Sequence, residues 1–501
     1  MSRFLGIDLG TQSLKAVIYD GERREMVAEG SCSLELIGRA DGAREQLAEW
    51  WIEALRAAMG QIARREKQSV KAIAVSGQQH GFVPLGADGQ VLAPVKLWCD
   101  TATVAECEEI STHFGGPQRC IDEVGNAILP GYTASKITWL KHHKPGSYAR
   151  LATILLPHDY LNFHLTGELF MECGDASGTG MLDIRNRQWH AGMLAAVDPE
   201  RDLSGCLPPL IDASAAGGTL RGMIARELGL PAGAPVACGG GDNMMAAIGT
   251  GNVTEGRLTM SLGTSGTLFA HTDAPCIDPV GELAAFCSST GGWLPLLCTM
   301  NCTVASELAR SLLQMDLESM ESAAGSAAPG ADGVVVLPFY NGERTPNLPN
   351  GKGCILGLDG DNMTSANIVR ASMEAAVFGL RAGLEAFARG HDTLADDFDE
   401  IRLTGGAAGS AVWRQIVADN FGRPVRLPLS QEGAAMGAAL NAMLLGSANH
   451  GDSRALASEV DEHIQFDDEA GAVPDPGTQA VYDRQFEIYN TYLEELRPQF
   501  E

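Results

Sequence analysis

The chain carries the stretch Phe4-Leu-Gly-Ile-Asp-Leu-Gly-Thr-Gln-Ser13 near its start and a second version, Leu258-Thr-Met-Ser-Leu-Gly-Thr-Ser-Gly-Thr267, past its middle. Each version is an apolar run, which predicts a buried strand, and ends in Leu-Gly-Thr with small polar residues. This composition allows a tight turn that presents backbone N–H groups to an anion. Two such turns that face each other would form a clamp for a phosphate group.

The segments that follow the two stretches repeat one plan. Alternation and helical spacing predict, for the first half, strands over 4–8, 14–19 and 25–36 with a hairpin signal at Asp20-Gly21, a helix over 47–62, and a strand over 70–75. For the second half they predict β-like runs from 258 onward, a long helix that begins near Thr364, and a strand over 401–404. This duplication predicts an α/β protein with two homologous domains, related by a pseudo-twofold axis and separated by a cleft.

The boundary between the two domains is predicted from composition. The stretch 191–234 contains Pro- and Gly-rich segments and is the best candidate for a linker. We therefore predict one domain over residues 1–236 and a second over residues 237–501. At 501 residues the chain is long enough for each domain to bury its own core.

Composition and charge narrow the class of protein. The 12 cysteines show no zinc-like spacing, which favours the reduced thiols of a cytosolic protein. A formal net charge of −27 argues against nucleic acid or an anionic membrane as a partner. Because no apolar run is as long as a membrane span and no secretory leader precedes the first strand, we expect a soluble, cytoplasmic protein. An anionic nucleotide would then need local N–H groups and a divalent cation.

The first turn offers groups for a metal ion and for a phosphate. Asp8 stands where the strand meets the turn, a position from which a carboxylate can hold a metal ion through water. Gly10 and Thr11 would approach the transferring phosphate, and Lys15 could bring a cation to the nucleotide tail. By itself such a turn is more often an ordinary hairpin. Its repetition favours the phosphate clamp.

The second turn and a later loop complete a predicted nucleotide site. Gly263-Thr264 repeats the first turn, and the chain has no Gly-x4-Gly-Lys-[Ser/Thr] loop that would bind phosphate instead. The loop Thr404–Ser410 is rich in Gly and Ala, as a base and ribose lying flat against backbone would require. Such a loop is a weak signal on its own.

One isolated carboxylate is the candidate base. Asp242 follows three glycines in Gly239-Gly-Gly-Asp-Asn243, and these glycines allow the backbone to approach a ligand closely. We predict that Asp242 accepts the proton of an attacking hydroxyl and orients it, beside the amide of Asn243. The alternative is an Asp that caps a helix after a glycine turn.

Two polar residues at the end of the predicted strand over 70–75 are candidates for substrate contacts. Gln79 and His80 lie in Gly77-Gln-Gln-His-Gly81 and would point into the same cleft. Polar side chains suit a polyhydroxy ligand, because each substrate hydroxyl needs a partner once water is excluded. A lone His is more often structural, but the flanking glycines favour a site.

Several motifs occur in a characteristic order along nearly the whole chain: Asp8-Leu-Gly-Thr11, Gly77-Gln-Gln-His-Gly81, Leu97-Trp-Cys-Asp100, Leu156-Pro-His-Asp-Tyr-Leu161, Gly239-Gly-Gly-Asp-Asn243, Ser261-Leu-Gly-Thr-Ser-Gly266, Asn341-Gly-Glu-Arg-Thr-Pro346 and Gly405-Gly-Ala407. In this order they resemble the FGGY carbohydrate kinases. The resemblance implies a ribonuclease-H-like (actin-type) fold in each domain, with the sugar held by the first domain and the nucleotide by the second. It also implies ATP and Mg²⁺.

The resemblance assigns roles by position. Asp242 is implied as the catalytic base. The sugar contacts implied are Gln79, His80, Asp242 and Asn243, and the nucleotide contacts implied are Gly263, Thr264, Gly405, Gly406 and Ala407. Three positions, Gln79, Cys99 and Ala102, depart from the residues usual in the most similar members of the family, and we expect such changes near a sugar to alter the preferred epimer or chain length.

The expected function is ATP-dependent phosphorylation of a ketopentose hydroxyl, with D-xylulose as the first candidate. The alternatives are a family member with another substrate, such as L-xylulose, ribulose or a pentitol, and an actin-like ATPase that needs no sugar. A catalytically silent sugar sensor is a third, against which Asp8 and Asp242 both argue. A homodimer is an expectation from the family alone.

Overall fold

The protein structure is a computed structural model that describes residues 2–391, 397–430 and 432–500. The strands of the first half are β1 (Arg3–Leu9), β2 (Ser13–Asp20), β3 (Glu25–Ser33), β4 (Ile37–Gly38), β5 (Arg44–Gln46), β6 (Val70–Gly77), β7 (Val83–Gly86), β8 (Val95–Lys96), β9 (Leu151–Leu155), β10 (Met171–Glu172), β11 (Leu182–Asp183), β12 (Gln188–Trp189), β13 (Leu210–Ile211), β14 (Ala216–Thr219), β15 (Pro235–Ala237) and β16 (Gly240–Gly241). The helices of the first half are α1 (Ala48–Gln61), α2 (Arg64–Lys67), α3 (Val104–Phe114), α4 (Pro117–Val124), α5 (Thr133–His143), α6 (Pro145–Ala149), α7 (Pro157–Thr166), α8 (Cys173–Ala176), α9 (Ala191–Val197), α10 (Gly222–Leu228) and α11 (Asp242–Gly249).

The first half is organised around a sheet with the strand order β14-β15-β6-β1-β2-β3. β1, β2 and β3 form the predicted antiparallel meander, and β6 pairs in parallel with both β1 and β15. Leu5, Ile7 and Leu9 alternate along β1 and are fully buried. Helix α1 packs on β2 and β3, and it lies so close that a side-chain carbon at Gly30 would overlap the carbonyl oxygen of Ala58.

The second half contains the strands β17 (Arg257–Leu262), β18 (Gly266–Ala270), β19 (Leu296–Thr299), β20 (Val335–Pro338), β21 (Gly353–Leu356), β22 (Glu400–Thr404) and β23 (Val425–Arg426). Its helices are α12 (Thr303–Leu312), α13 (Leu317–Ser326), α14 (Ser365–Ala382), α15 (Leu384–Gly390), α16 (Ala411–Phe421), α17 (Gly433–Met443), α18 (Ser453–Asp461) and α19 (Pro476–Leu496). The helix predicted from Thr364 is present but divided in two. Thr364 caps α14 by accepting a hydrogen bond from the backbone N–H of Asn367 at 3.1 Å, and Gly383 separates α14 from α15.

The five strands of the second sheet repeat the arrangement of five of the seven strands of the first. Its order is β19-β18-β17-β22-β23, in which β17, β18 and β19 form an antiparallel meander and β17, β22 and β23 run parallel. The corresponding order in the first half is β3-β2-β1-β6-β15. The predicted duplication of an α/β unit is therefore confirmed.

The two halves interlock through a pair of helices. Helix α17 packs on β1 and β6 of the first sheet and also on α11. A side-chain carbon at Gly6 would overlap the carbonyl oxygen of Ala435, and one at Gly437 would overlap that of Met245. Glycine at these positions thus lets backbone approach backbone. A buried apolar cluster continues this contact and includes Tyr19, Ile248, Phe269 and Leu440.

The segment around the predicted boundary belongs to the first sheet. β15 and β16 both pair with β6, so a boundary near residue 237 would cut this sheet. The predicted linker over 191–234 instead contains α9, α10 and the edge strand β14, whose Gly residues and neighbouring turns account for the composition. We propose that the domains divide between the end of α11 at Gly249 and the start of β17 at Arg257.

The structure also bears on the cysteines and on the search for membrane spans. All 12 cysteines are unpaired thiols and lie within the described residues. In the part of the chain that the structure describes, no helix has both the length and the apolar character needed to cross a membrane.

Candidate functional site

Three parallel strands bring the predicted polar residues of the first half to one edge. β1 and β16 both run parallel to β6, with Asp8 and Gly240 both beside Ser76. The residues that leave these strands are therefore neighbours, which places Asp8, Gln79 and Asp242 together. Ligands commonly bind at the carboxyl ends of parallel strands.

A cavity of about 620 Å³ lies at this edge, between the two halves. From the first half it is lined by five of the predicted site residues, namely Asp8, Gln79, His80, Asp242 and Asn243. The second half contributes Ser265, Thr267, Arg344 and Thr404, among others. The predicted cleft is thus present, and both halves reach into it.

Asp242 is the first residue of α11, directly after β16. Gly239 has a φ of +68°, and a side-chain carbon there would overlap the carbonyl oxygen of Val75, so the run of glycines is what allows this strand to approach β6. The Asp242 carboxylate accepts hydrogen bonds from the backbone N–H of Asn243 at 2.8 Å and from its amide Nδ2 at 3.1 Å. Burial and the carboxylate of Asp8 raise the pKa of Asp242 to about 8. A carboxylate in this state can take a proton near neutral pH.

Asp8 lies on the same side of the cavity. Its carboxylate accepts a hydrogen bond from the hydroxyl of Ser76 at 2.7 Å, and burial raises its pKa to about 6. Lys15 lies opposite Asp8 in the β1–β2 hairpin. The Lys15 ammonium forms an ion pair with Glu432, the residue before α17. Lys15 therefore links the two halves, and its predicted contact with the nucleotide tail stays a prediction.

The carboxylates of Asp8 and Asp242 suit one divalent cation whose remaining ligands are water and substrate phosphates. In the described residues, no group of three or more His, Cys, Asp or Glu side chains could hold a metal ion. Mg²⁺ is bound in this way by one or two carboxylates, water and substrate phosphates. Asp8 and Asp242 both line the cavity, and the charge of Asp8 raises the cost of ionising Asp242, so a cation bound near them would favour the charged forms.

His80 is held at the cavity wall in a left-handed backbone conformation, with a φ of +63°. Its carbonyl oxygen accepts hydrogen bonds from the ammonium of Lys136 at 2.6 Å and from the hydroxyl of Thr133 at 3.2 Å. Its ring packs against Tyr132 and Phe286, with centroid distances of 5.0 and 5.5 Å. Burial holds the pKa of His80 well below its usual range, so the imidazole is neutral and can both donate and accept.

Two amide side chains form the adjoining wall. The Nδ2 group of Asn243 donates to Oε1 of Gln79 at 2.8 Å, and Nε2 of Gln79 faces the sulfur of Met244 at 3.3 Å. Gln79 thus has a structural partner in the residue beside Asp242. Neither Cys99 nor Ala102 lines the cavity, so of the three departures noted in the sequence only Gln79 lies at the site.

The two turns predicted to bind phosphate, 10–12 and 263–265, have the same length but are closed by different hydrogen bonds. In the first, the N–H of Gly10 donates to the carbonyl of Ser13 at 3.0 Å; in the second, the N–H of Gly263 donates to the carbonyl of Ser265 at 3.1 Å. Both glycine N–H groups are therefore used within the turn. The next two N–H groups of each turn, at 11–12 and 264–265, make no hydrogen bond within the described residues. These are the groups that each turn offers to an anion.

The Gly-rich loop lies beside the second turn because β22 pairs with β17. Gly405 has a φ of +89°, and a side-chain carbon there would lie 2.6 Å from the carbonyl oxygen of Leu262. A side-chain carbon at Gly406 would meet nothing within 4 Å, so this surface is open. Ala407 follows it in the same 3-10 turn. Thr404 and Ser265 line the cavity, which shows that loop and turn border it.

Some cavity residues carried no assigned role in the sequence. Trp98 and Arg344 lie in motifs that supported the family resemblance, while Tyr132 and Phe286 stand in stretches without a signal. An aromatic residue in an apolar run is more often core than site, so composition alone could not have selected them.

The motif at Leu156–Leu161 places His158 against β6, the strand that leads to Gln79 and His80. His158 lies between the carboxylates of Asp175 and Asp159, at 2.7 and 3.0 Å. Burial alone would lower the pKa of His158, but the two carboxylates outweigh it and raise the pKa to about 9. A side-chain carbon at Gly77 would come within 2.9 Å of His158, so this buried charged group packs directly under β6.

Family models match both halves of the chain. The N-terminal domain of the FGGY family of carbohydrate kinases matches residues 3–249, and the C-terminal domain of the same family matches residues 258–445. The chain belongs to the FGGY family of carbohydrate kinases. It is therefore a kinase with ATP and a sugar as substrates, and the predicted fold class, two ribonuclease-H-like domains with a cleft between them, is confirmed.

Individual relatives of this FGGY kinase match it over nearly its whole length. A xylulose kinase from Haemophilus influenzae is 41% identical over 98% of this chain and 100% of its own length. A xylulose kinase from Escherichia coli is 31% identical over 99% of each chain. A crystal structure described as a xyloylose kinase from Brucella ovis has a TM-score of 0.90 at 30% identity, and the match covers 99% of this chain and 100% of that one.

Proposed function

We propose that this FGGY kinase transfers the γ-phosphoryl group of ATP to a hydroxyl of D-xylulose, forming D-xylulose 5-phosphate. One observation carries the choice of sugar: a curated xylulose kinase is 41% identical to this chain over 98% of its length. The geometry of the cavity supports the reaction type, because an acidic residue and two turns with open N–H groups meet there.

Asp242 is the proposed base. Its carboxylate would accept the proton of the sugar hydroxyl and direct the oxygen toward the γ-phosphorus. The transition state of phosphoryl transfer is loose, so orientation of the nucleophile contributes more than proton removal. A base of this kind contributes about a hundred- to ten-thousand-fold in rate.

The sugar would lie between polar and aromatic groups of the first half. Gln79, Asn243 and His80 supply amide and imidazole groups for its hydroxyls, and Trp98 and Tyr132 supply apolar faces for its C–H groups. Hydroxyls that lose water need such partners, and a site built for them discriminates strongly between epimers.

The nucleotide would lie against the two turns and the loop Gly405–Ala407. The net charge of −27 would repel a triphosphate from afar, so local N–H groups must receive it. We propose that Asp8 holds Mg²⁺, with Asp242 nearby. When bound, Mg²⁺ would neutralise charge on the phosphates.

Three further expectations belong to this proposal. Unpaired cysteines and the use of ATP support a cytoplasmic location. The same negative charge supports the absence of nucleic acid and anionic membranes among the partners. A homodimer stays a prediction from the family, which sedimentation of the purified protein would test.

The test is an ADP-release assay with D-xylulose, L-xylulose, D-ribulose and xylitol at equal concentrations. We expect the highest kcat/KM with D-xylulose. A higher value with one of the other three would replace D-xylulose as the substrate, and ADP release that none of them stimulates would contradict a sugar kinase acting on five-carbon substrates. Asp361→Asn changes an exposed carboxylate that does not line the cavity, and it is the control for the variant Asp242→Asn.

A further inference from the structure

The hydroxyl of Thr11, in the first phosphate turn, is bonded on two sides. It accepts a hydrogen bond from the indole N–H of Trp98 at 2.9 Å and donates one to Oε1 of Gln78 at 2.9 Å. With its single hydrogen already used, this hydroxyl has none to offer a phosphate. The Thr11 side chain is therefore a structural junction within the turn.

A network of buried amide side chains holds Thr11 in place. Nε2 of Gln78 donates to Oε1 of Gln46 at 2.9 Å, and the same oxygen accepts the indole N–H of Trp51 at 3.0 Å. Nε2 of Gln46 donates in turn to the carbonyl of Thr11 at 2.8 Å. Gln46 and Gln78 are fully buried, so the network is rigid and protected from water.

Trp98 is the member of this network that reaches the cavity. Two residues after Trp98, the buried carboxylate of Asp100 accepts hydrogen bonds from the backbone N–H of Arg44 and from the ammonium of Lys96, both at 2.8 Å. These bonds anchor the segment that carries Trp98. The indole ring is only partly buried. One end of the network thus meets the proposed sugar site, and the other end is the turn that offers N–H groups to phosphate.

We propose that the hydrogen bond from Trp98 to Thr11 couples sugar binding to nucleotide binding, so that Trp98 acts as a positioning residue for the first phosphate turn. This inference rests on the proposed function, since it takes the ligand beside Trp98 to be the sugar. A sugar packed on the indole restricts the ring, the ring fixes Thr11, and the N–H groups of the turn are then held ready for the phosphates. The coupling must act equally in both directions.

Two changes remove this bond from opposite sides. Trp98→Phe keeps an aromatic face toward the sugar but removes the N–H donor. Thr11→Val keeps the shape of the side chain but removes the hydroxyl, whereas Thr11→Ser retains it and is the matched control. Calorimetry would measure the dissociation constant of ADP with and without saturating D-xylulose, and that of D-xylulose with and without ADP.

We expect D-xylulose to tighten ADP binding to the wild-type protein, and ADP to tighten D-xylulose binding by the same factor. Loss of one hydrogen bond should reduce this coupling factor about fivefold in Trp98→Phe and in Thr11→Val. Thr11→Ser should keep the wild-type factor. The double variant Trp98→Phe/Thr11→Val should lose no more coupling than Thr11→Val alone, because Thr11→Val already removes the bond that Trp98→Phe removes.

The outcomes separate this inference from the proposed function. If Trp98→Phe weakens D-xylulose binding but keeps the wild-type coupling factor, Trp98 only lines the site and the inference is wrong. A coupling factor of one in the wild-type protein would also overturn it. Absence of D-xylulose-stimulated ADP release by the wild-type protein would contradict the proposed function instead. Circular dichroism would establish that each variant is folded, and Thr11→Val alone decides the matter if Trp98→Phe is not.

Discussion

The two phosphate turns share a three-residue length and the capture of a glycine N–H, yet they are held in place by different means. The first, at 10–12, is fixed mainly by side chains: Trp98 and Gln78 bond the Thr11 hydroxyl, and Gln46 bonds its carbonyl. One backbone bond adds to these, from the N–H of Leu34 to the carbonyl of Gln12 at 2.8 Å. The second, at 263–265, is fixed by backbone at the start of α12, where the N–H groups of 302 and 303 donate to the carbonyls of 264 and 263 at 3.1 and 3.0 Å. Side-chain bonds can respond to a neighbouring ligand. Bonds between backbone groups form whatever the side chains are.

The largest effect is expected at Asp242, the proposed base. Asp242→Asn removes the proposed base but keeps an isosteric side chain beside Asn243. We expect kcat to fall about a hundred- to ten-thousand-fold, with nucleotide affinity retained because the turns supply the N–H groups. Steady-state kinetics and ADP calorimetry would measure this, and near wild-type turnover would remove Asp242 from its proposed role.

A change in the amide network should loosen the first turn and leave the second intact. Gln46→Leu leaves buried partners at Gln78 and Trp51 without their acceptor, which should lower the free energy of unfolding by about 2–4 kcal/mol. Urea denaturation would measure this loss. The ADP affinity of the folded variant should also fall. A variant as stable as the wild-type protein would show that the network does not constrain the turn.

A pH series should separate the carboxylate from the turns. Burial, with the carboxylate of Asp8, raises the pKa of Asp242 from 3.8 to about 8, so the folded protein holds this proton more tightly than the unfolded chain. The contribution of this group to the free energy of unfolding is therefore full at low pH and falls as the pH rises toward 8. We expect Asp242→Asn to gain stability relative to the wild-type protein between pH 5 and 8.5, without ligands. A constant difference across this range would contradict the raised pKa.

The smallest effect is expected in the second turn. The side chain of Thr264 is exposed and makes no hydrogen bond within the described part of the chain. Thr264→Val should therefore change the ADP dissociation constant and its coupling to D-xylulose by less than about twofold. Comparison with Thr11→Val, which should reduce the coupling, tests the asymmetry directly. Equal losses in the two variants would mean that the turns are held alike.

Local patterns in the sequence predicted the repeated elements, and their pairing followed from the repetition. The alternation in β1 and the spacing in α1 are strong periodic signals. Asp8 stands out because it ends a predicted apolar strand, and Asp242 because it directly follows three glycines. The structure brings both to one cavity, while their chemical roles stay predictions. The boundary predicted near residue 237 rests on composition, and Gly and Pro at an edge strand resemble a linker, so it stays a prediction beside the boundary proposed between 249 and 257.

The remaining features depend on contacts between distant parts of the chain. Thr11 meets Gln78 and Trp98 only after three separate segments have folded together, and the sequence around each gives no sign of the others. The use of the Gly10 N–H within its own turn is likewise a matter of geometry, which leaves the next two N–H groups for the ligand. Motif matching identifies the turn, but the choice of atom requires coordinates.

The glycine contacts between α11 and α17 have a mechanical consequence. At Gly437 and Met245 the two helices touch through their main chains, with no side chain between them to compress or to slide past. We expect this crossing to act as a hinge about which the two halves rotate. The residues at the opening of the cleft would then move most. A methyl group added at Gly437 would push the two helices apart and so disturb the hinge.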